Sequence, residues 1–126
     1  MAHKRVSLRS GGGLPSVELR FGQLLFAKYD IYLYDRNGSN PVAVALNETN
    51  TDNKSDTFVV GSSLDDLNMR ILFWQAAISV LDERPDQTYL MRAVVSQDGN
   101  VLGTFERAGA ITNTVIDQDT VRFVVE

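Results

Sequence analysis

Residues Glu48-Thr49-Asn50-Thr51-Asp52-Asn53-Lys54-Ser55-Asp56 interleave three carboxylates with amide and hydroxyl oxygens, the hard donors that calcium takes. Asp52 and Asp56 are the best-placed ligands in this stretch. Asp65 and Asp66 come soon enough after it to converge with them at one end of a β-sandwich. The spacing matches no EF-hand-type loop, and no Gly stands where a sharp ligating turn needs one. A solvated loop is therefore the plainer reading, with calcium as the only cofactor the sequence offers.

Catalytic chemistry has less to work with. The chain of 126 residues has no Cys, and its one His is His3, so thiol nucleophiles, thiolate metal sites and a Ser/His/acid triad lack their parts. Two carboxylate pairs remain, Asp82 with Glu83 and Asp117 with Asp119, and glycoside hydrolysis needs only two acids. Neighbours such as Asp82 and Glu83 point to opposite faces of a strand, Asp117 and Asp119 share a face but flank a turn-like segment, and neither pair comes with an apolar pocket to raise one pKa. The expectation is a protein that is not an enzyme.

Net charge is -4, and the cations are unevenly placed. Lys4, Arg5, Arg9 and Arg20 stand against Glu18 in the first twenty residues, leaving the rest acidic. An acidic body repels phosphate backbones and anionic headgroups, so neither nucleic acid nor membrane insertion is expected. The N-terminal cations surround Gly11-Gly12-Gly13 and read as a flexible basic leader over residues 1–13. No apolar stretch stands behind them, so the chain as written is expected in the cytoplasm; a secreted mature form has the same sequence features.

Period two dominates the single domain expected at 14–126. Val17 to Phe21 alternates apolar and polar. Ala27, Tyr29, Ile31 and Leu33 share one face of a strand, with Lys28, Asp30, Tyr32 and Tyr34 on the other. Asp35-Arg36-Asn37-Gly38 reads as a tight turn and Pro41 to Leu46 as the returning strand, with Val42, Val44 and Leu46 together. Asn47 to Thr57 reads as a loop for want of large apolar side chains. Gln97-Asp98-Gly99-Asn100 is a second hairpin turn, Ala108 to Ala110 a bend, and Val121, Phe123 and Val125 the buried face of the last strand.

Residues 63–84 fit two periods. Leu64, Leu67, Ile71, Trp74, Ile78 and Leu81 form a helical stripe, which would make the fold α+β. Leu72, Trp74, Ala76, Ile78 and Val80 equally form one side of a strand. Asp82 and Glu83 oppose the dipole of a helix ending there, no Gly closes it, and the residue types favour strand. The next corner, Leu81, Pro85, Thr88, Tyr89 and Arg92-Ala93-Val94-Val95, resembles that of fibronectin type III and other immunoglobulin-like sandwiches. That resemblance implies a Tyr89 hydroxyl bonded back across the preceding turn. The expected fold is an all-β, antiparallel, immunoglobulin-like β-sandwich.

The face opposite the core carries the remaining signal. Tyr32 and Tyr34 project from it, and Phe26 extends the row. Exposed rings on a sheet anchor protein interfaces or stack on sugars. The expected function is a non-catalytic interaction or assembly module that binds a protein partner or another copy of itself. The alternative is a carbohydrate-binding module that uses these tyrosines, and Trp74 if it is exposed, with calcium bracing the Asp52/Asp56 loop. Trp74 lies on the apolar side in both readings of its segment, which favours the core. Three sequons, at Asn37, Asn47 and Asn53, all fall in expected loops.

Overall fold

The computed structural model describes residues 4–22, 24–51, 54–82 and 86–126. His3, Asp52, Asn53, Glu83 and Pro85 lie outside the described residues. Nine strands run in chain order among them: β1 Lys4–Leu8, β2 Ser16–Phe21, β3 Leu25–Tyr34, β4 Val42–Thr51, β5 Ser55–Val59, β6 Ile71–Val80, β7 Thr88–Gln97, β8 Asn100–Ala110 and β9 Thr114–Val125. They form a five-stranded sheet of order β1-β9-β6-β3-β4 and a four-stranded sheet of order β5-β2-β7-β8. Every pairing is antiparallel except β1 with β9.

The fold is an all-β sandwich, and the doubtful segment decides it. Residues 71–80 are the central strand β6, paired with β3 on one side and β9 on the other. Leu72, Trp74, Ala76 and Ile78 point inward, as the period-two reading requires. Before β6 comes a single 3₁₀ turn, Asp65–Leu67, which drops Leu67 into the core. A helix over 63–84 would strip β3 and β9 of one neighbour each and split the sheet in two, a larger loss than local propensity can offset.

The interior is largely aliphatic around a few rings. Trp74, 1% exposed, lies against Phe105 with ring centroids 6.1 Å apart, and Tyr29 lies 5.7 Å from Phe21. Trp74 is therefore withdrawn from any surface role.

The structure corrects four local expectations. Residues 4–13 are not a flexible leader. Val6 and Leu8 alternate into the core from β1, and Gln97 and Asp98 clasp the turn after it. A Cβ on Gly12 would lie 2.7 Å from Gln97 Nε2, and one on Gly13 2.8 Å from Asp98 Oδ1, so these glycines permit the clasp. The expected loop Asn47 to Thr57 is strand at both ends, in β4 as far as Thr51 and in β5 from Ser55. An edge strand needs apolar groups on one side only, and here Ala45 and Asn50 supply its buried positions while Val42 and Leu46 stay exposed. Ala108 to Ala110 continues β8 rather than bending. Asp117 and Asp119 lie within the long β9 rather than beside a turn. No helix among the described residues is long and apolar enough to cross a membrane.

Candidate functional site

Strand β3 splits its residues as pleating demands. Tyr29, Ile31 and Leu33 are buried, while Tyr32 and Tyr34 stand half-buried on the outer face of the five-stranded sheet. Register then brings in side chains that β3 alone does not name. Tyr32 is opposite Phe73 and Tyr34 opposite Ile71, both on β6. The rings of Tyr32 and Tyr34 lie 6.3 Å apart, and Tyr34 meets Phe73 edge-on at 6.0 Å. Tyr34, Gly38, Ile71, Phe73 and Thr120 line a shallow hollow of about 170 Å³ beside them.

Phe26 does not join this cluster. It sits six positions from Tyr32, about 20 Å along the strand, opposite Ser79 and Thr51. Phe73 and Ile71 escape the sequence reading because neither lies near Tyr34 along the chain. The usable signal is the outer half of the β6 alternation, which becomes informative once that segment is taken as strand.

Two of the candidate calcium ligands, Asp56 and Asp66, are engaged elsewhere. Asp56 Oδ2 accepts the Tyr29 hydroxyl at 2.6 Å and Asn50 Nδ2 at 2.9 Å. Asp66 pairs with Arg70 at 2.7 Å, and Asp65 stands on the 3₁₀ turn. Among the described residues, no group of three or more His, Cys, Asp or Glu is placed to hold a metal ion. Asp52 lies outside the described residues, so only Asp56, Asp65 and Asp66 of the expected set can be placed.

The second acid pair is likewise absorbed into the sandwich. Asp117 Oδ2 accepts the Tyr89 hydroxyl at 2.6 Å, while its Oδ1 accepts Gln118 N–H at 2.8 Å and faces Arg107 Nε at 3.1 Å. Asp119 pairs with Lys4 at 2.7 Å. Burial works against the Asp117 charge, but the bonds from Tyr89, Gln118 and Arg107 outweigh it and hold the carboxyl below the usual carboxylate range. The bond to Asp117, and burial after it, push the Tyr89 hydroxyl up, with Arg107 opposing. Burial, with the Asp56 carboxylate second, pushes Tyr29 up much further. The Tyr89 bond crosses to the other sheet instead of to the backbone of the preceding turn, so it departs from the immunoglobulin-type corner.

The architecture and its outer face define an antiparallel β-sandwich with an aromatic cluster on the larger sheet. No protein-family model matches the sequence, and no curated protein matches it. Two solved structures are similar. One is a domain of unknown function, DUF4425, from Bacteroides vulgatus, with a TM-score of 0.50, 11% identity, and coverage of 87% of this chain and 94% of that one. The other is a DUF4425 family protein from Bacteroides ovatus, with a TM-score of 0.47, 11% identity and the same coverage. At that identity the first likeness speaks for the sandwich fold alone.

Proposed function

We propose that this sandwich is a non-catalytic protein-interaction domain that engages its partner through the outer face of the five-stranded sheet. The observation behind the reading is the packing of Tyr32 on Tyr34 and of Tyr34 on Phe73, beside a mostly apolar hollow lined by Tyr34, Ile71 and Phe73. Aromatic side chains that are held by their neighbours supply contact area at little entropic cost, which is the usual make-up of an interface anchor.

Sugar binding fits this geometry less well. A stacking platform needs an exposed ring face with polar groups beside it. Here Tyr32 and Tyr34 are tilted 54° to each other, Tyr34 stands at 89° to Phe73, and Thr120 is the hollow's only polar side chain besides the Tyr34 hydroxyl. Of the acids a hydrolase would use, Asp117 is tied to Tyr89 and Arg107, and Asp119 to Lys4.

Affinity capture from the native host tests the reading with three baits: the wild-type chain, Phe73→Ser, and Leu90→Ser on the other sheet. Species retained by wild type and Leu90→Ser but lost by Phe73→Ser bear the reading out. Identical capture by all three overturns it. Binding on a glycan array that Phe73→Ser abolishes would establish the carbohydrate alternative instead.

A further inference from the structure

The outer face of the five-stranded sheet carries charge as well as rings. Arg5 on β1 pairs in register with Arg122 on β9, which is next to Ile71 on β6, which is next to Tyr34 on β3. Buried neighbours on both sides of Arg122 fix its outward direction, as the alternation of β1 fixes that of Arg5. Lys28 projects from the same face further along β3. Asp30 on β3 is a carboxylate on this face and is already bonded to Asn47 N–H, and Glu126 follows β9 at its far end.

Five cations elsewhere on the molecule are paired, whereas Arg36 in the β3–β4 turn and Lys54 before β5 face no carboxylate among the described residues. Lys4, Arg9, Arg70, Arg92 and Arg107 each face a carboxylate, namely Asp119, Asp98, Asp66, Glu106 and Asp117. Arg122 instead donates to two backbone carbonyls, those of Arg36 and Met69, which orient the guanidinium and leave its charge uncancelled. Arg5 and Lys28 have no carboxylate partner among the described residues. A chain of net charge -4 thus keeps a cationic face around its aromatic cluster.

From this we infer, resting on the interaction reading above, that the partner is an acidic polypeptide: a segment with carboxylates on either side of one apolar or aromatic side chain. That side chain fills the hollow beside Tyr34 and Phe73, and the carboxylates meet Arg5, Arg122 and Lys28. Charge complementarity selects this occupant. A second copy docked through its other sheet is disfavoured because, among the described residues, that outer face balances Arg20 and Arg92 with Glu18 and Glu106. Single-stranded nucleic acid is disfavoured because the rings are packed edge to face and the cations do not form a continuous track.

The test is selection of a random peptide display library on the wild-type protein, with counter-selection on Tyr34→Ser/Phe73→Ser. Folding of each variant is checked by Trp74 fluorescence. The expected result is a motif with clustered Asp and Glu around an apolar residue. Its synthetic peptide should bind about tenfold more weakly when salt rises from about 50 to about 300 mM. Arg5→Glu/Lys28→Glu, which alters only exposed positions, should lose that peptide and select basic ones. A motif that depends on Tyr34 and Phe73 but is neutral or basic overturns the inference and leaves the interaction reading standing. Absence of any motif dependent on those two rings removes both. Saturable binding of a fluorescent oligo(dT) probe that Phe73→Ser abolishes overturns the inference in favour of nucleic acid.

Discussion

Tyr89 on β7 donates its hydroxyl hydrogen to Asp117 on β9 at 2.6 Å, and so ties the two sheets together through a buried carboxylate. Tyr29 on β3 and Asp56 on β5 repeat the arrangement in the opposite sense, also at 2.6 Å. In each case the tyrosine and the aspartate belong to different sheets. The layers are therefore held by directional contacts as well as by apolar burial.

Tyr89→Phe should lower unfolding free energy by about 1–2 kcal/mol in a urea titration, since the carboxylate keeps Arg107 and Gln118 as partners. Asp117→Ala should cost more, about 2–3 kcal/mol, because it leaves the Tyr89 hydroxyl unpaired inside the sandwich and removes the acceptor of the Gln118 N–H, while the half-exposed Arg107 returns to water. Equal effects would mean that the tyrosine alone matters.

Stability should fall at both ends of the pH scale. The folded Asp117 carboxyl titrates below its ordinary value of 3.8, so its contribution is complete above that value and is lost as pH drops below it. Tyr29 and Tyr89 titrate above the ordinary tyrosine value of 10.0, so theirs is complete below 10.0 and is lost as pH rises beyond it. On the alkaline limb each tyrosine contributes a slope of about 1.4 kcal/mol per pH unit. Tyr29→Phe should remove the larger part of the alkaline limb measured by urea titration, because its hydroxyl is shifted further than that of Tyr89, and Asp117→Asn should flatten the acid one.

Gly61 adopts a φ of +83°, and a Cβ there would lie 2.7 Å from Cδ2 of the buried Leu67. Gly61→Ala should therefore cost about 2 kcal/mol, combining backbone strain with overlap in the core. Gly38 also has positive φ, +81°, but nothing lies within 4 Å of its Cβ position. Gly38→Ala should cost about 1 kcal/mol, and the difference between the two thermal midpoints measures the packing part.

Trp74 is the only tryptophan and is fully enclosed. Its emission should be blue-shifted in the native state and shift to red in one step on unfolding. Trp74→Ala should cost about 4 kcal/mol, and a much smaller loss would contradict a central buried β6.

Sequence makes legible what repeats at short range. The alternations of β2, β3 and β6 and the Asp98-Gly99 turn, with φ of 52° and 78°, are local properties, and each is visible in its own segment. Strand β1 is hidden because only Val6 and Leu8 mark it and cations surround them. The second half of β4 is hidden because an edge strand can be rich in Asn and Thr. Tyr89 stands out in its own segment, but its partner Asp117 is 28 residues away and on the other sheet. Phe73 and Arg122 enter the candidate face only through strand order, which no short stretch of chain contains.

Selective nitration of the four tyrosines tests the central claim most directly, because two of them are buried internal controls and two belong to the candidate face. In the purified protein Tyr32 and Tyr34 should react while Tyr29 and Tyr89 stay unmodified. In a native host extract, with reagent dose normalised to an added tyrosine peptide, Tyr32 and Tyr34 should become protected, and Phe73→Ser should restore their reactivity. Unchanged nitration of Tyr32 and Tyr34 in the extract would contradict the account.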